Sequence, residues 1–273
     1  MSEELSCAGQ GWRPTPLVAG SIALHAAALL LLAWNPGWWL ELLVLVALNH
    51  AVITVCGLLP RSRWLGPNMT RLPAAAAARR EIAITIDDGP DPAVTPAVLD
   101  ILDRHQAQAT FFCIGARAHA HADLCREIVR RGHAVENHSQ RHRHSFAFMG
   151  PGGFRRELQE AQDTLAAITG RRPAFFRAPA GLRNPLLDPV LHALGLRLAS
   201  WTRRGFDTRV ADPQLLLRRL SADLGAGDIL LLHDGNSALT PAGRPAILEV
   251  LPQLLERAAA AGLRPVTLRT ACA

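Results

Sequence analysis

The stretch ITIDDGPDP, residues 84–92, decides how this chain is read. Ile84, Thr85 and Ile86 have the texture of the end of a buried strand. Two adjacent carboxylates, Asp87 and Asp88, follow, and the chain then breaks at Gly89-Pro90. Side by side, two Asp repel each other and resist ionising together. A lone Asp-Asp-Gly is ordinarily a solvated turn, but here a hydrophobic run leads straight into it. The pair therefore belongs at a strand tip, where a neighbouring positive charge must relieve its repulsion.

Outward from this stretch the chain alternates. The spacing predicts strands at Ile82–Ile86, Ala109–Ile114, Ala134–Asn137, Ala174–Arg177, Arg197–Trp201, Asp228–Leu232 and Pro265–Leu268. Between them it predicts helices at Thr95–His105, Ala118–Arg131, Phe154–Ile168, Leu187–Leu194, Pro213–Leu224 and Ala246–Ala261, with Thr169-Gly170 and Leu194-Gly195 as helix stops. Alternation of this kind gives an α/β fold with a mostly parallel sheet. Seven units suggest barrel-like closure, with active groups at the strand C-termini. No glycine-rich nucleotide fingerprint follows the first strand.

The 273 residues, 49% apolar, hold more than that domain. After a tail at 1–16, segments 17–34 and 38–59 are almost uncharged, about 18 and 22 residues long, and suit a bilayer-spanning hairpin. The tail has too little positive charge for a cleaved signal peptide. Asn49 and His50 sit within the second segment and cost insertion energy, so a surface or packing helix is the competing reading there. A Pro- and Ala-rich linker at 60–80 leads to the domain at 81–273. It carries Arg61, Arg63, Arg71, Arg79 and Arg80, whereas the turn between the spans has no cation. The positive-inside rule then places the domain on the cytoplasmic side of a bacterial-type inner membrane. A single span would leave it on the periplasmic, extracytoplasmic side. Five cysteines without framework spacing fit reduced thiols. The net charge of +6 comes from Arg alone, since Lys is absent. No basic run interleaves with aromatics, which argues against nucleic acid.

The predicted strand tips carry a consistent polar set. The first gives Asp87 and Asp88, the third runs into NHSQRH with His138 and His142, and the fourth ends in RAPAG with Arg177. The fifth leads to GFDT with Asp207, and the sixth ends in LLLHD with His233 and Asp234. His138 and His142, spaced i, i+4, share a face if they lie on a helical turn. His144 competes with them, and His119 and His121 form a separate exposed pair. An Asp with two imidazoles leaves coordination positions open, as a catalytic metal requires.

These ordered motifs, with ATFFCIG after the first helix, resemble the polysaccharide deacetylase family, carbohydrate esterase family 4, over roughly residues 81–270. The resemblance implies a distorted (β/α)7 barrel and metal-dependent hydrolysis of an N-acyl group, acetyl or formyl, on an amino sugar. Carried over, it makes Asp87 the general base, Asp88, His138 and His142 the ligands of a divalent metal, zinc foremost, and Arg177 the residue that holds Asp87. His233 becomes the general acid, oriented by Asp207. Ala180 supplies a backbone oxyanion donor, and Leu231 lines the acyl pocket. The family usually has an aromatic at position 180 and Trp at position 208, where this chain has Ala180 and Thr208. Both changes remove sugar-stacking surface.

The expected partners are therefore a membrane and an N-acylated amino sugar, polymeric or lipid-linked. Arg183, Arg203 and Arg204 lie near the departing loops and suit a phosphate or pyrophosphate on a lipid-linked sugar. Two other classes compete. A non-haem iron oxygenase also uses two His and one carboxylate. An inactive carbohydrate-binding or scaffold protein would keep the fold but lose the base, acid or ligands, and all are present here.

Overall fold

Residues 11–273 are described by the structure, a computed structural model. Most of the expected 1–16 tail, including Cys7, lies outside the described residues. Thr15 caps α1 (Pro16–Trp34): its Oγ1 accepts the Val18 amide, and Pro16 presets the first helical φ. Asn35-Pro36-Gly37 reverses the chain into α2 (Trp39–Leu58), with the Asn35 side chain accepting from Gly37. By length and composition the two helical segments are able to cross a membrane. Their mid-hairpin polar groups pair across the interface. Asn49 Nδ2 donates to Ser21 Oγ at 2.8 Å, and His50 Nε2 lies 3.1 Å from His25 Nε2. Such pairing offsets the cost of carrying them in apolar surroundings.

The five-alanine run forms α3 (Ala74–Ala78). Then come β1 (Glu81–Asp87), α4 (Thr95–Arg104), β2 (Ala109–Cys113), α5 (Gly115–Ala120), α6 (Ala122–Arg130), β3 (Ala134–Asn137), α7 (Pro151–Thr169), β4 (Phe175–Phe176) and α8 (Leu187–Ala193). The chain finishes with β5 (Arg197–Leu198), β6 (Arg203–Arg204), α9 (Pro213–Ser221), β7 (Ile229–His233), α10 (Ala246–Ala260), β8 (Arg264–Pro265) and α11 (Leu268–Ala271). The strands pair in parallel in the order β5-β4-β3-β2-β1-β7-β6, and β8 joins only the start of β1. β5 and β6 stand at opposite ends of this order although only residues 199–202 separate them in sequence. The sheet therefore curls until the extended segment 197–204 bridges both its edges, giving the expected distorted barrel.

Strand alternation divides the interior. Ile82, Ile84 and Ile86 of β1 face outward, into a cluster with Val98, Leu99 and Leu102 of α4 and Val250, Leu251 and Leu254 of α10. Each such burial is worth ~1.5–3 kcal/mol. Ala83 faces inward with Phe112, Phe175, Trp201, Ile229 and Leu231. Thr85 and Asp87 share that inward parity, so the sequence that builds the core also aims Asp87 into the barrel mouth.

Several predicted elements differ. The strand predicted at Arg197–Trp201 stops at Leu198, and the unpredicted β6 follows at Arg203–Arg204, because residues 199–202 must swing from one sheet edge to the other. The strand at Pro265–Leu268 ends at Pro265, because Thr267 accepts the Thr270 amide and caps a helix. The helix at Ala118–Arg131 is two helices broken at His121. Residues 60–80 lie along the domain: Leu65 and Ala76 are buried, and Met69 bridges Ala199 in parallel.

His133, at the entry to β3, tests the packing of this frame. Its ring lies 5.7 Å from Phe111, and its Nε2 is buried without a partner. Burial pushes the imidazole from 6.5 down to about 4. Between those values the unfolded chain binds the extra proton, so this contribution is intact above pH 6.5 and is lost as pH falls towards 4. In urea unfolding at pH 7 and pH 4.5, the wild-type chain is expected to lose about 2 to 3 kcal/mol more stability on acidification than His133→Leu.

Candidate active site

Asp87 ends β1, opposite His233 of β7 in register. Regular strand geometry would send Asp88 to the other face. Asp88 instead has φ +75°, a left-handed conformation that turns its carboxylate back toward the same mouth. Arg117 Nη1 holds the turned carbonyl of Asp88 at 2.9 Å. Gly89 is required next, because a Cβ there would overlap both carboxylate oxygens of the buried Asp234. Asp234 itself accepts from Thr95 Oγ1 and the Gly235 amide, and its burial pushes it up to about 7.

His138 and His142 come together differently from the prediction. Residues 138–145 form a loop, not a helical turn, with φ +65° at Ser139 and +48° at His142. The loop is pinned from within: Ser139 Oγ accepts the His142 amide, Asn137 Oδ1 the Ser139 amide, and Glu157 of α7 the Arg141 amide. The two rings end 4.8 Å apart. Each Nε2 lies 3.2 Å from Asp88 Oδ1. His138 Nδ1 lies 2.8 Å from the Arg177 carbonyl. A carbonyl only accepts, so Nδ1 carries a proton, which leaves Nε2 as the ring atom available to a cation. His144, His119 and His121 stand outside this cluster.

The donor set fits a small divalent cation. The Asp88, His138 and His142 ligand atoms all lie within 4.8 Å of one another. Burial pushes Asp88 up, but the His138 hydrogen bond and the charges of His138, His233 and His142 outweigh it and hold the carboxyl far below its ordinary range. Burial and the neighbouring His138 push His142 down to about 4, against the opposing pull of Asp88 and Asp87. One ionised carboxylate and a neutral imidazole are the forms that coordinate a metal.

On one side of the cluster, Asp87 Oδ1 accepts from Arg177 Nη1 at 2.7 Å. Arg177 also donates to Thr85 Oγ1 and to the carbonyls of Ala199 and Ser200, and its guanidinium stacks 4.2 Å from the Phe112 ring centre. On the other side, His233 Nδ1 lies 2.8 Å from Asp207 Oδ1, and Asp207 Oδ2 accepts the His233 amide at 2.7 Å. Burial pulls His233 down, but the hydrogen bond and charge of Asp207, with those of Asp87 and Asp88, more than reverse this and leave it raised. Ala180 is exposed in the turn after Arg177, with φ +55°. Leu231 is buried in the inner cluster with Phe112 and Trp201, two residues before His233 on the same face.

Two of the three arginines proposed for phosphate serve the fold instead. Arg183 is buried and donates to the carbonyls of Ser62 and Gly66. Arg203 binds Asp228 and the carbonyls of Ala222 and Asp223. Only Arg204 remains beside the site. Conversely, the sequence did not single out Asn236, whose Nδ2 donates to Asp88 Oδ2 at 3.1 Å, or Arg117. Asn236 lies two residues beyond His233-Asp234 in the same loop, but nothing in its identity foretells a partner 148 positions away.

The fold and this cluster define a family, and comparison with known proteins agrees. Residues 74–199 match the polysaccharide deacetylase family model. The chain is 37% identical over 155 residues to a chitooligosaccharide deacetylase of Azorhizobium caulinodans, covering 56% of this chain and 73% of that protein. It is 30% identical over 175 residues to a peptidoglycan-N-acetylglucosamine deacetylase of Bacillus cereus, covering 63% and 81%. Its fold also matches a CE4 family pseudoenzyme from Bacillus anthracis, with a TM-score of 0.67 at 21% identity over 77% of this chain and 71% of that one. The chain belongs to the polysaccharide deacetylase family.

Asn236→Ala leaves Asp88 Oδ2 without its donor. Zinc affinity of the purified chain, read by competition with a chromophoric chelator, is expected to fall about 10- to 100-fold.

Proposed function

We propose that the chain is a metal-dependent hydrolase that removes an N-acyl group from an amino sugar and is anchored to the membrane by the α1–α2 hairpin. The observation that carries this reading is the convergence of Asp88 Oδ1 with the Nε2 atoms of His138 and His142, flanked by Asp87–Arg177 and His233–Asp207. An inactive protein of the same fold, such as the pseudoenzyme matched above, is the alternative, and the complete residue set argues against it.

Asp88, His138 and His142 would hold a divalent cation, zinc in this reading, which would supply Lewis-acid polarisation of the scissile carbonyl and a lowered pKa for bound water. Arg177 occupies Asp87 Oδ1 and leaves Oδ2 to take the proton of the attacking water. His233, its Nδ1–H fixed by Asp207, presents Nε2 to the leaving amine and delivers a proton there. Asp207, with Asp87 and Asp88, raises the His233 pKa against the pull of burial, which favours the protonated form this role uses. In this reading the Ala180 backbone N–H serves the developing oxyanion and Leu231 lines the pocket for the acyl methyl. The resulting products are the free acid and the amine. The arginines of 60–80, against a cation-free turn at 35–37, favour a cytoplasmic-facing domain.

In the zinc-loaded protein, Asp87→Asn is expected to lower acetate release from an N-acetylated amino sugar about 10²- to 10⁴-fold while zinc per chain stays unchanged. His138→Ala is expected to lose both zinc and activity. Undiminished release by Asp87→Asn would overturn its assignment as base.

A further inference from the structure

Apolar exposure on the domain is confined to one face. Among the described residues beyond the hairpin and linker, the exposed large apolar side chains are Phe148, Leu186, Phe206 and Leu239. They follow β3, β4, β6 and β7, in segments that leave strand C-termini. None lies in a segment returning from helix to strand. This is the face that carries Asp87, Asp88, His138, His142 and His233.

The hairpin meets the domain on that same face. The Arg183 amide donates to the carbonyl of Gly57, in the last turn of α2, at 3.2 Å. A Cβ on Gly181, the residue after Ala180, would stand 2.7 Å from both Pro60 and Trp201. Trp12 Nε1, ahead of α1, donates to Asp188 of α8 at 2.7 Å. Arg177 donates to Asp87 and to the Ser200 carbonyl, and Ser200 Oγ donates to the Pro60 carbonyl at 2.7 Å. Three hydrogen bonds in succession thus link Asp87 to Pro60, two residues beyond α2. With α1 and α2 in a bilayer, this attachment holds the site mouth at the bilayer surface, with the apolar loops beside it.

One cation at the mouth lacks a partner. Arg204 makes no side-chain hydrogen bond and no ion pair among the described residues, and its Nε is buried and unpaired. Its guanidinium carbon lies over the Trp201 ring at 5.2 Å and over the Phe206 ring at 4.8 Å. Asp87 and Asp207 are near enough for their charges to act on it. A guanidinium placed over two aromatic rings, with no hydrogen-bond partner among the described residues, suits the bidentate geometry of a phosphate.

We infer that the site takes an amphiphile: an N-acylated amino sugar joined through a phosphate or diphosphate to a membrane lipid, with the lipid chain left in the bilayer and Arg204 on the linking phosphate. This rests on the N-acyl hydrolase reading and names its substrate class. Ala180 and Thr208 agree with it, since a site for one lipid-borne sugar needs less stacking surface than a groove for a polymer.

The test uses the full zinc-loaded chain in nanodiscs. Binding is measured for undecaprenyl diphosphate, undecaprenol and phosphatidylglycerol, and acetate release for undecaprenyl-diphosphate N-acetylglucosamine and chitotetraose. The diphosphate is expected to bind about 10- to 100-fold tighter than either other lipid. Arg204→Gln should abolish that margin, and Arg204→Lys, which keeps the charge but not the fork, should reduce it. Acetate release should favour the lipid-linked sugar in kcat/KM, with Arg204→Gln acting mainly on KM. Equal binding by wild type and Arg204→Gln, or equal binding of phosphatidylglycerol, would overturn the inference. Preference for chitotetraose would overturn it while leaving the hydrolase reading standing. Release from neither sugar would count against the hydrolase reading, and the binding measurements would still decide the role of Arg204.

Discussion

The rest of the structure depends on one buried cation. Arg177 is 1% exposed, and its donors reach Asp87, Thr85, Ala199 and Ser200. It therefore ties β1 to the segment that crosses between the sheet edges. Burial pulls its pKa below the ordinary guanidinium value, and the charge and hydrogen bond of Asp87 offset part of that. Removing either partner of such a pair typically costs about 3–5 kcal/mol, because the other is left as an uncompensated charge. The same contact directs one oxygen of Asp87 away from the cluster of Asp88, His138 and His142 and leaves the other facing it. A single interaction thus contributes to barrel closure and sets the orientation of the group proposed as base.

The adjacency of Asp87 and Asp88 is resolved by separating their environments. Asp87 faces Arg177, while Asp88, turned by its positive φ, faces two imidazoles and Asn236. Each carboxylate has its own partners, so neither must share a proton with the other. His233 and Asp207 stand across the mouth as a third charged unit. In the proposed reading these three units are the proton acceptor, the donor set for a cation and the proton donor that amide hydrolysis needs.

The barrel and the gathering of most candidate residues at one mouth were legible in the sequence, through the strand pattern and the order of the motifs. Alternating Ile82, Ile84 and Ile86 fixed both the strand and the inward parity of Asp87, and the chain order of the tips brought Arg177, Asp207 and His233 to one face. What was not legible depends on long-range closure or backbone hand. The split at residues 199–202 arises from two sheet edges that only the folded chain defines. The His138–His142 pair keeps its predicted proximity, but through a loop with two left-handed residues, where spacing alone suggested a helical turn. Arg183 and Arg203 looked free because their partners, Ser62, Gly66 and Asp228, are distant in sequence or unremarkable in type. Asn236 and Arg117 went unseen for the same reason.

The central claim is that this cluster hydrolyses N-acyl amino sugars only with a divalent cation bound. The most direct measurement is acetate release by the purified full chain from an N-acetylated amino sugar, before dialysis against chelator, after it, and after adding one equivalent of zinc per chain. The account predicts release that stops with the chelator and returns with zinc. Release unaffected by the chelator would contradict it.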